Sequence, residues 1–146
     1  MIRGLVVPEL GAFILATVHL PHPLDRRTEV LFVVDTGSDR TVLMPRDLAP
    51  LGFDAALRES RGVIPARALK GIGSAVATYA ASASVTFNHG SEATSTFNMS
   101  LGLIDDPLCQ DIPSILGRDI LFRGQVSVGR DGLRFDVQPG EHELPG

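Results

Sequence analysis

The sequence predicts a single, mostly-β domain, and three observations support this prediction. The chain has 146 residues, which suits one domain that is large enough to bury a core. Fifteen glycines and ten prolines are spread along it, as expected for many turns between short strands. The segments between these turns are rich in apolar and β-branched residues, and no low-complexity tract or interior linker separates them.

The first half of the chain predicts a β-hairpin followed by a short helix. Residues 12–20 (AFILATVHL) and 28–34 (TEVLFVV) have strand composition, and PHPLDRR between them contains turn residues. The second of these segments is apolar on both faces, which predicts a buried strand that ends at Asp35. Residues 44–52 (MPRDLAPLG) then predict a short helix, with a proline in its first turn and a glycine at its end.

The second half predicts further strands, a strand–helix junction and a C-terminal hairpin. Residues 67–87 contain two strands around the turn KGIGS, and residues 96–104 (TFNMSLGLI) form another strand after a polar loop. SILGRDILF, residues 114–122, predicts a buried strand end that leads into a short helix. Residues 125–137 predict a hairpin with an Asp-Gly turn, and the polar residues 139–146 predict a flexible tail.

Composition and charge argue against several classes of partner. The net charge is −4 and no Lys/Arg stripe alternates with aromatic residues, so we expect no nucleic acid partner. The single cysteine, Cys109, cannot form an internal disulfide, which favours a reducing compartment such as the cytoplasm. Pro8 and Glu9 interrupt the N-terminal apolar run, which falls short of the ~18 apolar residues of a membrane span. His19 and His22 lack a third ligand nearby, so we expect no metal site.

The stretch FVVDTGSDRTVL brings a carboxylate, Asp35, to the end of an apolar strand. Threonine and glycine follow it directly, and an apolar segment resumes four residues after the glycine. In isolation, such an aspartate is typical of an Asx turn at a strand end. Two further motifs favour another interpretation: the glycine-bracketed turn KGIGS at 70–74, and the segment SILGRD at 114–119.

Together these motifs resemble the retropepsin-like aspartic proteases, the single-domain relatives of pepsin. D-T-G-S with T-V-L, G-I-G and I-L-G-R-D stand in the family's order, and the resemblance covers residues 12–137. It implies a closed β fold with one or two short helices over residues 1–138, and an aspartic endopeptidase that needs no cofactor. The long C-terminal hairpin is closer to the cellular and bacterial members than to the viral ones.

The resemblance also implies a homodimer. Hydrolysis without a metal or a protein nucleophile can use two carboxylates that share one water and lie so close that only one is ionised. This chain contains a single Asp-Thr-Gly, so the second carboxylate must come from a second copy. A two-fold axis would bring Asp35 against Asp35 of the partner subunit, and a peptide or protein substrate would lie across the pair.

The residues after Asp35 take their expected roles from the same resemblance. Thr36 would form a hydrogen bond across the axis, and Gly37 would let substrate approach the backbone closely. The Ser38 hydroxyl would donate to the ionised carboxylate and favour its charged form. Without the resemblance, Thr36 is an ordinary turn residue. If Arg40 lines a pocket, acidic or polar substrate side chains would be tolerated there.

A flap, a pocket residue and a brace complete the expected site. Residues 71–73 (Gly71, Ile72, Gly73) would form the flap tip over the substrate, or else an ordinary glycine-rich hairpin loop. Ile115 would line a substrate pocket or belong to the core. Asp39 would pair with Arg118 and brace the catalytic loop, unless the two are unrelated surface charges.

A different class of function is also compatible with the sequence. A non-catalytic dimerisation or peptide-binding module could keep the same fold, although the intact D-T-G and G-I-G motifs favour the enzyme. A third possibility is a protease whose dimer forms only conditionally, on a membrane or within a larger assembly.

Overall fold

The computed structural model describes residues 1–22, 24–53 and 78–145 in full and the main chain of 63–65. Strands dominate it, as the sequence predicts. The strands are β1 (Ile2–Val7), β2 (Gly11–Leu20), β3 (Arg26–Val34), β4 (Val42–Leu43), β5 (Val63–Pro65), β6 (Thr78–Asn88), β7 (Thr94–Ile104), β8 (Ile115–Leu116), β9 (Gln125–Gly129), β10 (Gly132–Asp136) and β11 (Gly140–Glu143). The helices are α1 (Pro45–Leu48), α2 (Arg118–Leu121) and two 3₁₀ turns, Ala49–Leu51 and Pro107–Cys109.

These strands form one sheet that closes on itself. Hydrogen-bonded neighbours follow the order β5-β6-β7-β4-β8-β3-β2-β1-β10-β9. An additional pairing between β6 and β2 joins distant parts of this order and closes the sheet, while β11 lies beside β7. The prediction of a closed, mostly-β fold with short helices is therefore confirmed.

The predicted first hairpin is formed by β2 and β3, which pair antiparallel from Phe13 with Val33 to Leu20 with Arg26. Alternate residues of these strands point to the core, and those of β2 include Ile14, with 1% of its surface exposed. The main apolar core contains residues from β1, β2, β3, β6, β7 and β10, and its largest fully buried side chains are four phenylalanines: Phe32, Phe87, Phe97 and Phe135. This core fixes the end of β3, where Asp35 follows.

The predicted helix after the acidic turn and the C-terminal hairpin are both present. Pro45 occupies the first turn of α1, where its missing N–H costs no hydrogen bond. Gly52 ends the following 3₁₀ turn in the left-handed conformation, with φ of 71°, which glycine adopts without strain. Strands β9 and β10 pair around Arg130 and Asp131.

The C-terminal segment 139–146, for which the sequence predicts a flexible tail, contains the strand β11. It pairs with β7 in the parallel direction. The amide of Asn98 donates to both Glu141 and Glu143, at 2.7 Å each, and the ring of His142 stacks on Phe97 with 4.7 Å between ring centres. These contacts come from a strand more than forty residues earlier, so the local polar composition gave no sign of them.

Candidate active site

Asp35 lies at the point where β3 leaves the sheet. Its backbone N–H donates to the Leu116 carbonyl oxygen over 3.1 Å, which continues the strand pairing by one residue. The Gly37 N–H then donates to Asp35 Oδ1 at 2.8 Å, and the Ser38 N–H donates to the Asp35 carbonyl at 3.2 Å. The turn is therefore an Asx turn in its local geometry. It holds a half-buried carboxylate next to the exposed Thr36.

The SILGRD segment lies directly against this turn, as the resemblance implies. Its strand β8 runs between β3 and β4, with Ile115 opposite both Val33 and Val42. The Arg118 N–H donates to the Ser38 carbonyl at 2.8 Å and so fastens the far side of the turn. The fold thus brings together two motifs that are about eighty residues apart in sequence.

Gly117 allows the two loops to touch. A Cβ at this position would lie 2.4 Å from the carbonyl carbon and oxygen of Arg40, far inside van der Waals contact. The backbone conformation itself is ordinary, with φ of −99°, so the glycine is required for space rather than for an unusual dihedral angle. This close approach fixes where the residues just after the D-T-G turn can lie.

Thr41 and Asp119 form a hydrogen-bonded cluster behind the turn. The fully buried Thr41 hydroxyl donates to Asp119 Oδ1 at 2.6 Å and accepts the Gly117 N–H at 3.1 Å. Asp119 Oδ2 accepts the Thr41 N–H at 3.0 Å, and Oδ1 also accepts the Ile120 N–H at 2.9 Å. The sequence predicts no role for either residue, because the two are separated by 78 positions.

Ser114 makes a second, similar connection. Its hydroxyl is buried, accepts the Met44 N–H at 2.9 Å and donates to Asp47 Oδ2 at 2.6 Å. Its carbonyl oxygen accepts the Val33 N–H at 2.9 Å. One serine therefore ties β3, the end of β4 and the helix α1 to the strand that supports Asp35.

Two predicted contacts of the loop are replaced by others. The Ser38 hydroxyl donates to the Arg40 carbonyl at 2.8 Å, so in this chain it does not serve as the expected donor to the Asp35 carboxylate. Asp39 is exposed, Arg118 is half-buried, and no ion pair between them occurs in the part of the chain that the structure describes. Arg118 braces the loop through its backbone N–H instead.

Three parts of the predicted site remain: Arg40, Ile115 and the flap. Arg40 is exposed at the end of the D-T-G loop. Ile115 is half-buried and packs against a small apolar cluster of Val42, Met44, Ile104 and Cys109. The predicted flap residues Gly71, Ile72 and Gly73 lie outside the described residues.

Cavities of about 440 Å³ lie elsewhere on the sheet. One is lined by residues such as Leu15 and Thr86 of β2 and β6, and another by Ser84 and Asn98 of β6 and β7. Neither is lined by Asp35 or its turn.

Across residues 1–22, 24–53, 63–65 and 78–145, no three His, Cys, Asp or Glu side chains group as metal ligands. No helix within those same ranges is long and apolar enough to cross a membrane.

Comparisons with known proteins identify the fold. The chain is similar to a retropepsin-like aspartic protease from Rickettsia conorii, with 19% sequence identity and a TM-score of 0.55, over 94% of this chain and 89% of that chain. It is also similar to the EIAV protease in complex with the inhibitor HBY-793, with 24% identity and a TM-score of 0.47, over 80% of this chain and 92% of that chain. No family model and no curated protein matches the sequence significantly. The resemblance seen in the sequence is confirmed at the level of the fold: this chain has the retropepsin-like fold.

Proposed function

We propose that this protein is an aspartic endopeptidase that hydrolyses peptide bonds as a two-fold homodimer. The observation that carries the proposal is the position of Asp35: a half-buried carboxylate, held by the Gly37 N–H, at the tip of a turn that the SILGRD segment supports from behind. Such a turn presents the carboxylate at the surface while fixing its backbone. The structural match to a protease of the same fold agrees with this role without assigning it.

The proposed chemistry needs two aspartates, one with a proton and one without. The ionised carboxylate accepts a proton from water as the water oxygen attacks the peptide carbonyl carbon. The protonated carboxyl gives its proton to the carbonyl oxygen, which forms a tetrahedral diol. The diol then collapses: one hydroxyl gives its proton to the ionised carboxylate, the C–N bond breaks, and the leaving nitrogen takes the proton of the other carboxyl group. The dyad thereby regains its single proton.

A second copy is required because each chain supplies one D-T-G aspartate. Asp35 is half-buried, and Thr36 and Gly37 beside it are exposed, so this turn can contact a partner subunit across a two-fold axis. We place the substrate cleft between the two copies, beside both aspartates. The proposed flap, residues 71–73, would cover a peptide bound in that cleft.

The proposal is tested by proteolysis of a diverse peptide mixture between about pH 3 and pH 7, the range in which a carboxylate pair holds one proton. Products are read by mass spectrometry for the wild type, for Asp35→Asn, and for Asp131→Asn in the exposed β9–β10 turn as the matched control. We expect a bell-shaped pH dependence that persists in the control and disappears in Asp35→Asn. Cleavage that survives Asp35→Asn would contradict the proposal.

A binding experiment separates the enzyme from a non-catalytic binding module. A statine-type transition-state analogue needs the assembled pair of aspartates, so the proposed enzyme binds it and Asp35→Asn binds it much more weakly. A folded dimer that neither cleaves peptides nor binds the analogue would favour the binding module. Sedimentation across protein concentrations would show whether dimer formation is conditional.

The buried, free Cys109 fits a reducing compartment, and we propose the cytoplasm as the location.

A further inference from the structure

The support of the catalytic turn differs from the one that its charged residues suggest. In the described chain the guanidinium of Arg118 makes no ion pair with Asp39. What holds the turn against its neighbour is a set of backbone contacts, from Asp35 to Leu116 at 3.1 Å and from Arg118 to Ser38 at 2.8 Å. These contacts persist only while the two loops stay in register.

Thr41 is the one buried hydroxyl that touches both loops directly behind the turn, among the residues described. It follows the D-T-G-S-D-R segment, and its hydroxyl binds to the other loop at two points, Gly117 N and Asp119 Oδ1. Its backbone also contributes, since its N–H donates to Asp119 Oδ2 and its carbonyl accepts the Gly102 N–H at 3.3 Å. Thr41 is thus connected to β7 as well as to the SILGRD segment.

Asp119 completes the connection in a way that a neutral residue cannot. Its two oxygens accept three hydrogen bonds, from Thr41 N, Thr41 Oγ1 and Ile120 N. In an asparagine, one of these oxygens becomes an NH₂ group that would face an N–H donor. Whichever way the amide turns, at least one donor loses its acceptor in a half-buried site.

We propose that Thr41 and Asp119 are the positioning residues for Asp35. They act through the backbone: by joining the residue after the catalytic loop to Gly117 and to the start of α2, they hold the Asp35–Leu116 and Arg118–Ser38 contacts in place. Their effect on catalysis rests on the proposed function, whereas their effect on the turn does not. Neither side chain touches the reacting atoms.

The test compares three variants with a matched control. Thr41→Val keeps the shape and removes the hydroxyl, Thr41→Ser restores the hydroxyl, and Asp119→Asn removes an acceptor. The control is Thr86→Val, because Thr86 Oγ1 also forms a part-buried hydroxyl bond, at 2.9 Å to Thr96 Oγ1, but on strands away from the turn. Each variant is assayed for kcat and KM on a cleaved peptide and for hydrogen exchange of individual amides.

We expect Thr41→Val and Asp119→Asn to lower kcat by about 10- to 100-fold, since a misplacement of about 1 Å in a catalytic group costs about 100-fold and a smaller one costs less, with KM changed little. Thr41→Ser is expected to recover most of the loss. The Asp35 and Arg118 amides should exchange about tenfold faster in the two damaging variants, as for the loss of one buried hydrogen bond. The Val85 amide in the core should keep its wild-type rate, and Thr86→Val should leave both amides of the turn unchanged.

Two kinds of result would overturn the proposal. The first is a Thr41→Val protein in which the Asp35 and Arg118 amides exchange at the wild-type rate, or in which all amides accelerate together as in a general loss of stability. The second is a kcat loss that Thr41→Ser does not recover. If the wild type cleaves nothing, the proposed function fails, and the exchange rates still decide whether these residues hold the turn.

Discussion

Replacing Gly117 with alanine tests the contact between the two loops most sharply. The new Cβ would lie 2.4 Å from the Arg40 carbonyl carbon and oxygen and 2.9 Å from its nitrogen. Ordinary van der Waals contact begins near 3.4 Å, so the loops must separate by about 1 Å (3.4 − 2.4). All three obstructing atoms belong to backbone, and no side-chain rotation can relieve the clash.

The expected losses of stability and of activity in Gly117→Ala follow from this displacement. Overpacking of this kind costs about 1–3 kcal/mol in unfolding free energy. Separation of the loops also moves the Arg118–Ser38 contact, which supports the turn that carries Asp35. For the proposed enzyme, a misplacement of about 1 Å lowers kcat/KM by about 10²-fold. Both losses should appear together, because they have the same cause.

The assay is urea unfolding at one fixed protein concentration, since unfolding of a dimer depends on concentration. Gly129→Ala is the matched control, because a Cβ at Gly129 meets no atom within 4 Å and its φ is not in the positive range. We expect the control to be neutral or more stable by about 0.4–1 kcal/mol, as for glycine to alanine at an unstrained position. A Gly117→Ala protein as stable and active as Gly129→Ala would refute the reasoning.

Three further predictions concern other parts of the fold. Ser114→Ala leaves the buried Met44 N–H without its acceptor and should lower the unfolding free energy by about 1–3 kcal/mol in urea; an unchanged midpoint would contradict this. Burial lowers the pKa of His89 below its usual 6.5, so the unfolded chain binds more protons and stability should fall as pH drops from above 6.5 through the folded pKa. In His89→Gln this part of the pH dependence of the midpoint should vanish, and its persistence would assign it to other groups. Asn98→Ala removes the donor shared by two glutamates of β11 and should accelerate exchange of the Leu144 amide, whereas an unchanged rate would show that the backbone pairing alone holds β11.

Local patterns predicted the elements that stand next to each other in sequence. The hairpin of β2 and β3 was readable because its apolar residues, its turn residues and its pairing all lie within residues 11–34. The position of Asp35 was readable for the same reason, since an apolar strand leads directly into it. Residues 115–121 also showed their strand end and helix, because the apolar pair, the glycine and the charged pair are adjacent.

Local sequence patterns do not predict the contacts between residues that are far apart in the chain. Thr41 and Asp119 lie 78 positions apart, and neither has a neighbour whose type marks it as a partner. The ion pair between Asp39 and Arg118 is expected from the resemblance to the family, but the types of these two residues do not specify where their side chains point. Strand β11 was missed since its pairing with β7 is parallel and distant, and its own composition is polar.

The proposed enzyme needs Asp35 from two copies of the chain to build one catalytic site. The most direct measurement mixes wild type with Asp35→Asn in equal amounts, allows the subunits to exchange, and compares peptide cleavage with an all-wild-type sample of the same total concentration. If both aspartates are required, only the wild-type homodimers are active, and random pairing leaves about one quarter of the activity. A residual activity of about one half would mean that each chain works alone, and it would contradict the account.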